Sequence, residues 1–156
     1  MDASKQRKWD RRFLQLADQI AQWTEDRNFS VGAVIIGPDL EIRATGYNGL
    51  ARGVDADDDS RFDRESGEKF FWFEHAERNA IYNAARIGTS LDKCTIYINR
   101  FPCSDCSRAI IQSGITRVVC PRKPAHDGKL DHSFDVSEIM MSEAGISLDT
   151  LEGETV

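Results

Sequence analysis

An α/β fold, with a mixed sheet covered by helices on both faces, is what this sequence predicts. Strand-like and helix-like segments alternate along most of the chain, two strand segments stand side by side near its start, and an amphipathic helix precedes them. Residues Ser4 to Asp26 form that helix: Trp9, Phe13, Leu16, Ile20 and Trp23 recur at alternating steps of four and three, share one face and read as core packing. Val31 to Ile36 is a β-branched run suited to a buried strand. Gly37-Pro38-Asp39 turns the chain, and Glu41 to Tyr47 pairs back with partial alternation. Asn48 to Lys69 is polar and carries Asp55, Asp57, Asp58, Asp59, Asp63, Glu65 and Glu68. A connection of that length is functional or mobile, or else a solvated acidic loop. Phe70 to Phe73 leads into a helix from Ala76 to Arg86, which Gly88 stops. Then follow a strand from Thr95 to Asn99, a helix from Ser104 to Ser113 closed by Gly114, and a strand from Thr116 to Cys120. A loop from Pro121 to His132, a helix from Ser133 to Ala144, a strand from Ile146 to Leu151 and a frayed tail from Glu152 to Val156 complete the chain. The expectation is one domain spanning residues 1–156.

Bulk properties narrow the function. The 156 residues are 40% hydrophobic and 29% charged, a globular balance. No apolar run has the length of a membrane span, and the charged start Met1 to Lys8 is followed by no apolar stretch of the secretory kind. A cytoplasmic protein without a membrane partner is expected. The net charge of -6 argues against a polymeric nucleic acid partner, which calls for a basic face. Of the four cysteines, Cys94 and Cys120 sit beside strand segments and read as small buried hydrophobes. Cys103 and Cys106 form a C-x-x-C, which in a cytosolic chain binds metal or is redox-active.

The chemistry concentrates in His75-Ala76-Glu77 and Pro102-Cys103-Ser104-Asp105-Cys106. Each motif opens a helix. Cys103 and Cys106, at i and i+3, share one side of a turn, and a helix N-terminus favours thiolate over thiol. Pro102 suits a helix start. His75 and Glu77, two apart, point in different directions on a regular helix, so one can ligate a metal while the other stands beside it. One imidazole and two thiolates suit Zn²⁺ and leave a fourth position open, as in catalytic rather than structural sites. A closed structural site would draw a fourth ligand from His126, His132 or Cys120, none of which has a telling spacing. Glu77, needed by no purely structural site, is left to move protons.

Read together, these motifs are H-x-E … P-C-x-x-C, and the chain resembles the cytidine and deoxycytidylate deaminase superfamily. It is closest to the deoxycytidylate (dCMP) branch through Ser30 to Ile36, Gly46-Tyr47-Asn48-Gly49, Arg52-Gly53, His75 to Ile81, Phe101 to Cys106, Ile110 to Ile115 and His126-Asp127. The resemblance implies a three-layer α/β/α sandwich with a mixed five-stranded central sheet. It also implies Zn²⁺ at His75, Cys103 and Cys106, with Glu77 as proton shuttle. Substrate contacts are expected at Asn48, Arg52 and Ala76, Asn48 meeting the nucleoside and Arg52 the phosphate. The implied reaction is hydrolytic deamination of a small nucleotide, dCMP to dUMP with release of ammonia, by a homo-oligomer. Alternatives are a deaminase of a free base, nucleoside or modified nucleobase lacking the 5′-phosphate, and a non-catalytic zinc-stabilised binding module. Glu25 and Glu74 depart from the dCMP pattern and are unfavourable beside a phosphate. Arg27, Arg52, Arg78 and Lys123 are the cations expected to compensate.

Overall fold

The computed structural model describes residues 2–151. The expected frayed tail, Glu152 to Val156, lies outside them. Helix α1 (Ala3–Ala21) is followed by strands β1 (Gly32–Ile36), β2 (Ile42–Tyr47) and the two-residue β3 (Gly49–Leu50). A 3₁₀ turn (Asp59–Phe62), the single-turn α2 (Lys69–Trp72) and β4 (Phe73–Glu74) lead to α3 (Ala76–Ile87). The rest alternates: β5 (Thr95–Ile98), α4 (Ser104–Gln112), β6 (Arg117–Pro121), α5 (Asp131–Glu143) and β7 (Ser147–Leu151).

The main sheet has five strands in the order β2-β1-β5-β6-β7. β1 is antiparallel to both β2 and β5, while β5, β6 and β7 run parallel, so the sheet is mixed as expected. Side-chain alternation along the strands sorts the core into two layers. Val34, Ile36, Tyr97 and Val119 pack with Phe13, Ala17 and Ile20 of α1. Ala33, Ile35, Ile96, Ile98, Val118 and Cys120 face the other way, onto Ala80 and Ala84 of α3, Ile110 of α4, and Phe134 and Met141 of α5. The result is the three-layer α/β/α sandwich. Cys94 and Cys120 are buried, in keeping with their reading as small hydrophobes.

Two glycines set how closely the layers approach. A Cβ at Gly32 would collide with the Ala17 O of α1, and one at Gly46 with the Ala76 O and Ala80 N of α3. Along the outer edge of β2, Asn79 and Asn83 of α3 donate side-chain amide hydrogens to the carbonyls of Tyr47 (2.8 Å) and Thr45 (2.7 Å). These bonds occupy carbonyls that an edge strand otherwise leaves open.

Two elements differ from the sequence expectation. The first helix ends at Ala21 rather than Asp26, leaving Trp23 62% exposed and edge-on to Tyr47. Local side-chain bonds compete with the helix there: Thr24 Oγ1 donates to the Asn48 carbonyl at 2.6 Å, and the Asp26 carboxylate accepts from the Asn28 amide at 2.9 Å. The acidic segment after Asn48 is solvated, Asp55, Asp57, Asp58, Asp59, Asp63, Glu65 and Glu68 all being exposed, but it also contains turns that the sequence reading left out. Asp55, Asp58 and Asp63 accept backbone N–H bonds from Asp57, Ser60 and Glu65, two residues on, and so build its turns. No helix among the described residues is long and apolar enough to cross a membrane.

The layers are pinned by a buried polar knot. The Asp10 carboxylate, 3% exposed, accepts from Tyr97 Oη (2.8 Å), from both terminal nitrogens of Arg117 (2.9 Å each) and from Gln6 Nε2 (2.9 Å). Burial opposes its ionisation, but the bonds from Arg117, Gln6 and Tyr97 prevail and hold its pKa below the usual carboxylate value. A depressed folded-state pKa contributes stability above the unfolded value of about 3.9 and loses it as pH falls through the folded value. Asp10→Ala should therefore cost about 2 kcal/mol in urea unfolding at pH 7, because it leaves the buried Tyr97 hydroxyl and one side of Arg117 without an acceptor, Arg117 keeping only Asp149. The gap from the parent chain should narrow as the pH of the measurement drops below 4.

Candidate active site

The backbone brings both sequence motifs to one end of the sheet. His75 is the N-cap of α3 and Cys103 the N-cap of α4, each with extended backbone angles, and neither side chain caps its own helix. Both side chains are free to project between the two helix ends. Cys106 lies in the first turn of α4 and is fully buried. His75 Nδ1 is 3.4 Å from the sulfurs of both Cys103 and Cys106. The three ligand atoms lie within 4.8 Å of one another and form the one such cluster among the described residues. His126, His132 and Cys120 are not in it; His126 Nδ1 instead meets Asp131 at 2.5 Å.

This donor set fits zinc. Tetrahedral sites with Zn–N of about 2.0 Å and Zn–S of about 2.3 Å separate nitrogen from sulfur by about 3.5 Å, close to the two distances found. Protonation points the same way. The hydrogen bond from the Cys106 thiol, helped by His75 and opposed by burial, pulls Cys103 down to about 4. The same bond together with burial pushes Cys106 up. The pair thus holds a thiolate readily, and metal binding, which takes both sulfurs as thiolates, releases the remaining proton.

Glu77 is 4% exposed, and burial raises its pKa, with His75 working in the opposite direction. It lines the same cavity as His75. Opposed directions on a helical wheel are not what separates their roles: His75 stands outside the helix, so both side chains face one space. Pro102 likewise precedes the N-cap instead of starting the helix, and its carbonyl accepts from Ser137 Oγ at 2.9 Å. Because Cys103 caps nothing, Ser133 of α5 does the work across the interface, its Oγ accepting from the Ser104 amide at 2.9 Å.

The cavity is walled by Val31, Phe73, Ala76, Phe101, Leu130 and Phe134, with Asn48 on its floor. Asn48 is 7% exposed, its Oδ1 accepting from the Val31 amide at 2.9 Å. Arg52 does not reach the cavity: it is exposed and donates to Asn83 Oδ1 at 2.7 Å. The other expected cations are engaged elsewhere, Arg27 with Asp59, Lys123 with Asp135 and Glu138, and Arg78 with Glu74 and Asp105. The Arg78 pairing also neutralises Glu74, and Glu25 is exposed and does not line the cavity. The cations that do line it, Arg64, Lys69 and Arg100, went unnoticed in the sequence. No local spacing marks them, because they are gathered in space by Phe29: Arg64, Arg100 and Lys69 lie over its ring at 4.4, 4.2 and 5.5 Å.

Comparison with known proteins agrees with this geometry. Residues 7–121 match the family described as cytidine and deoxycytidylate deaminase zinc-binding region. The chain belongs to the cytidine and deoxycytidylate deaminase family. It is accordingly a zinc-dependent deaminase. A deaminase of Aliivibrio fischeri, described as uncharacterized and encoded in the luxG 3′ region, is 37% identical over 142 residues, 90% of this chain and 92% of its own. Human deoxycytidylate deaminase is 35% identical over 144 residues, 89% of this chain and 77% of its own. In fold, the chain is similar to the dCMP deaminase of cyanophage S-TIM5 crystallised with dCMP and dUMP. The TM-score is 0.73 at 21% identity, covering 97% of this chain and 99% of that one.

The placement of His75 and Glu77 depends on the contact between α3 and β2. Gly46→Ala would force its methyl group against α3 backbone, which cannot move aside as a flexible side chain would. The expected result is a loss of about 3 kcal/mol in thermal or urea unfolding, together with faster release of zinc to a chromogenic chelator.

Proposed function

We propose that the chain converts dCMP to dUMP with release of ammonia, His75, Cys103 and Cys106 holding the zinc and Glu77 moving the proton. The observation that carries the nucleotide is Arg64. It lines the cavity and stacks on Phe29, and no carboxylate pairs with it among the described residues. A guanidinium in that state suits a phosphate, which it can grip with two parallel bonds. Arg100 adds charge beside it, tempered by Asp127 at 2.6 Å. The substrate in the name of the human relative supports the same reading.

Zinc held by His75, Cys103 and Cys106 would supply a water of lowered pKa as the nucleophile for the ring carbon that bears the amine. Glu77 accepts one proton from the attacking water and delivers it to the ring nitrogen, then takes the second proton from the added hydroxyl and delivers it to the departing amine, which leaves as ammonia. Burial raises its pKa and makes the protonated state accessible, which a shuttle requires. Ala76, the first residue of α3, has an N–H without an intrahelical partner by position and offers it to the carbonyl of the base. Asn48 meets the sugar. Phe73, Phe101 and Phe134 exclude water around the ring.

Glu77→Gln should retain zinc by elemental analysis and lose at least about 100-fold in kcat. Near-native turnover in that variant would end its assignment as shuttle. The substrate is tested with a panel of dCMP, deoxycytidine, cytosine, and adenine and guanine compounds. Arg64→Gln should raise KM for dCMP about tenfold and leave deoxycytidine unaffected, as expected for a lost charge-assisted bond. Faster turnover of deoxycytidine than of dCMP by the parent chain would remove the nucleotide from the proposal.

A further inference from the structure

We infer that Asp26 is a positioning residue that fixes Asn48 as a pure hydrogen-bond acceptor toward the cavity, so that the site selects sugars presenting a hydroxyl donor; this rests on the reading of Asn48 as the sugar contact. A primary amide has two donor hydrogens and two acceptor lone pairs. Asn48 Nδ2 donates to Asp26 Oδ2 at 2.9 Å and to the Phe29 carbonyl at 3.0 Å, using both hydrogens. Its Oδ1 accepts from the Val31 amide at 2.9 Å, using one lone pair. What remains for a ligand is a single acceptor. An ether oxygen or a phosphate oxygen gains nothing from it, whereas a sugar hydroxyl does.

Asp26 enforces that polarity twice over: its carboxylate takes one Nδ2 hydrogen directly, and its bonds from the Asn28 and Phe29 amides hold the loop whose Phe29 carbonyl takes the other. A carboxylate only accepts, so it compels the nitrogen end of the amide to face it and turns the oxygen away. Its side chain is 2% exposed and forms an ion pair with Lys69, which is itself 8% exposed and lies 5.4 Å from the centre of the Phe73 ring. Its other oxygen accepts from the amides of Asn28 (2.9 Å) and Phe29 (3.4 Å). The same carboxylate therefore holds the loop that presents Phe29, on which Arg64 and Arg100 stack. Lys69 is committed to this pair and is a counter-charge for Asp26.

The test compares kcat/KM for dCMP with that for 2′,3′-dideoxycytidine 5′-monophosphate, which lacks the donor. The parent chain should favour dCMP about tenfold, the worth of one such bond. Lys69→Arg keeps the counter-charge and the three N–H bonds to Asp26 and should keep the ratio. The double variant Asp26→Ala/Lys69→Met removes both charges together, leaves no stranded ion, and should bring the ratio to near one while retaining zinc. A purely structural role would lower turnover of both substrates alike and leave the ratio unchanged. A parent ratio near one, or a ratio preserved in the double variant, overturns the inference. Should the parent chain prefer deoxycytidine to dCMP, the nucleotide reading falls, and the same ratio taken with deoxycytidine and its 2′,3′-dideoxy analogue decides this inference independently.

Discussion

The convergence of two helix N-termini on one point is the constraint from which the rest of the site follows. Strands β1, β5 and β6 are adjacent in the sheet, and α3 and α4 pack on one face of it. Their first residues meet at its end. An N-cap position ordinarily takes a side chain that satisfies its own helix. Here both N-caps carry metal-binding side chains that satisfy nothing locally. The deficit at α4 is met from outside, by Ser133, while Ser137 steadies the Pro102 carbonyl and bonds Ser107 at 2.5 Å. Helix α5 thus supports the site without lining it through either serine.

Electrostatics explains how a chain with a net charge of -6 is compatible with the anionic substrate proposed for it. Net charge is a property of the whole surface, whereas a ligand meets only the local field. The aspartates after Asn48 are turned toward backbone amides and partner cations, and Glu74 is held by Arg78. Around Phe29 the cations prevail. Aromatic and guanidinium groups alternate there, so the positive charge is held over a ring face.

Much of this was legible in the sequence. The hydrophobic period of the first helix, the β-branched run at Val31 and the stop at Gly88 each act over a few residues, and the elements they mark all appear. Spacing marks His75, Cys103, Cys106 and Glu77; the fold gathers the imidazole and the two sulfurs into one cluster, and His75, Cys103 and Glu77 line one cavity. The failures are of another physical kind. Trp23 continues the helical period but lies past the helix end, because Thr24 and Asp26 bond elsewhere. Arg52 stands four residues from Asn48, yet the turn after β3 carries it to Asn83. Arg64 and Arg100 lie far apart in the chain and meet only because both stack on Phe29. Spacing reports short-range geometry, and a binding surface assembled from three separate segments leaves no such trace.

The asparagine amides of α3 along β2 have a consequence for behaviour in concentrated solution. A bare outer strand invites the same strand of a second molecule to continue the ladder, which is how ordered aggregates begin. With the Tyr47 and Thr45 carbonyls already occupied, the β2 margin is a poor template for such growth. The helix that carries His75 and Glu77 thus also guards the chain against self-templated polymerisation along that margin.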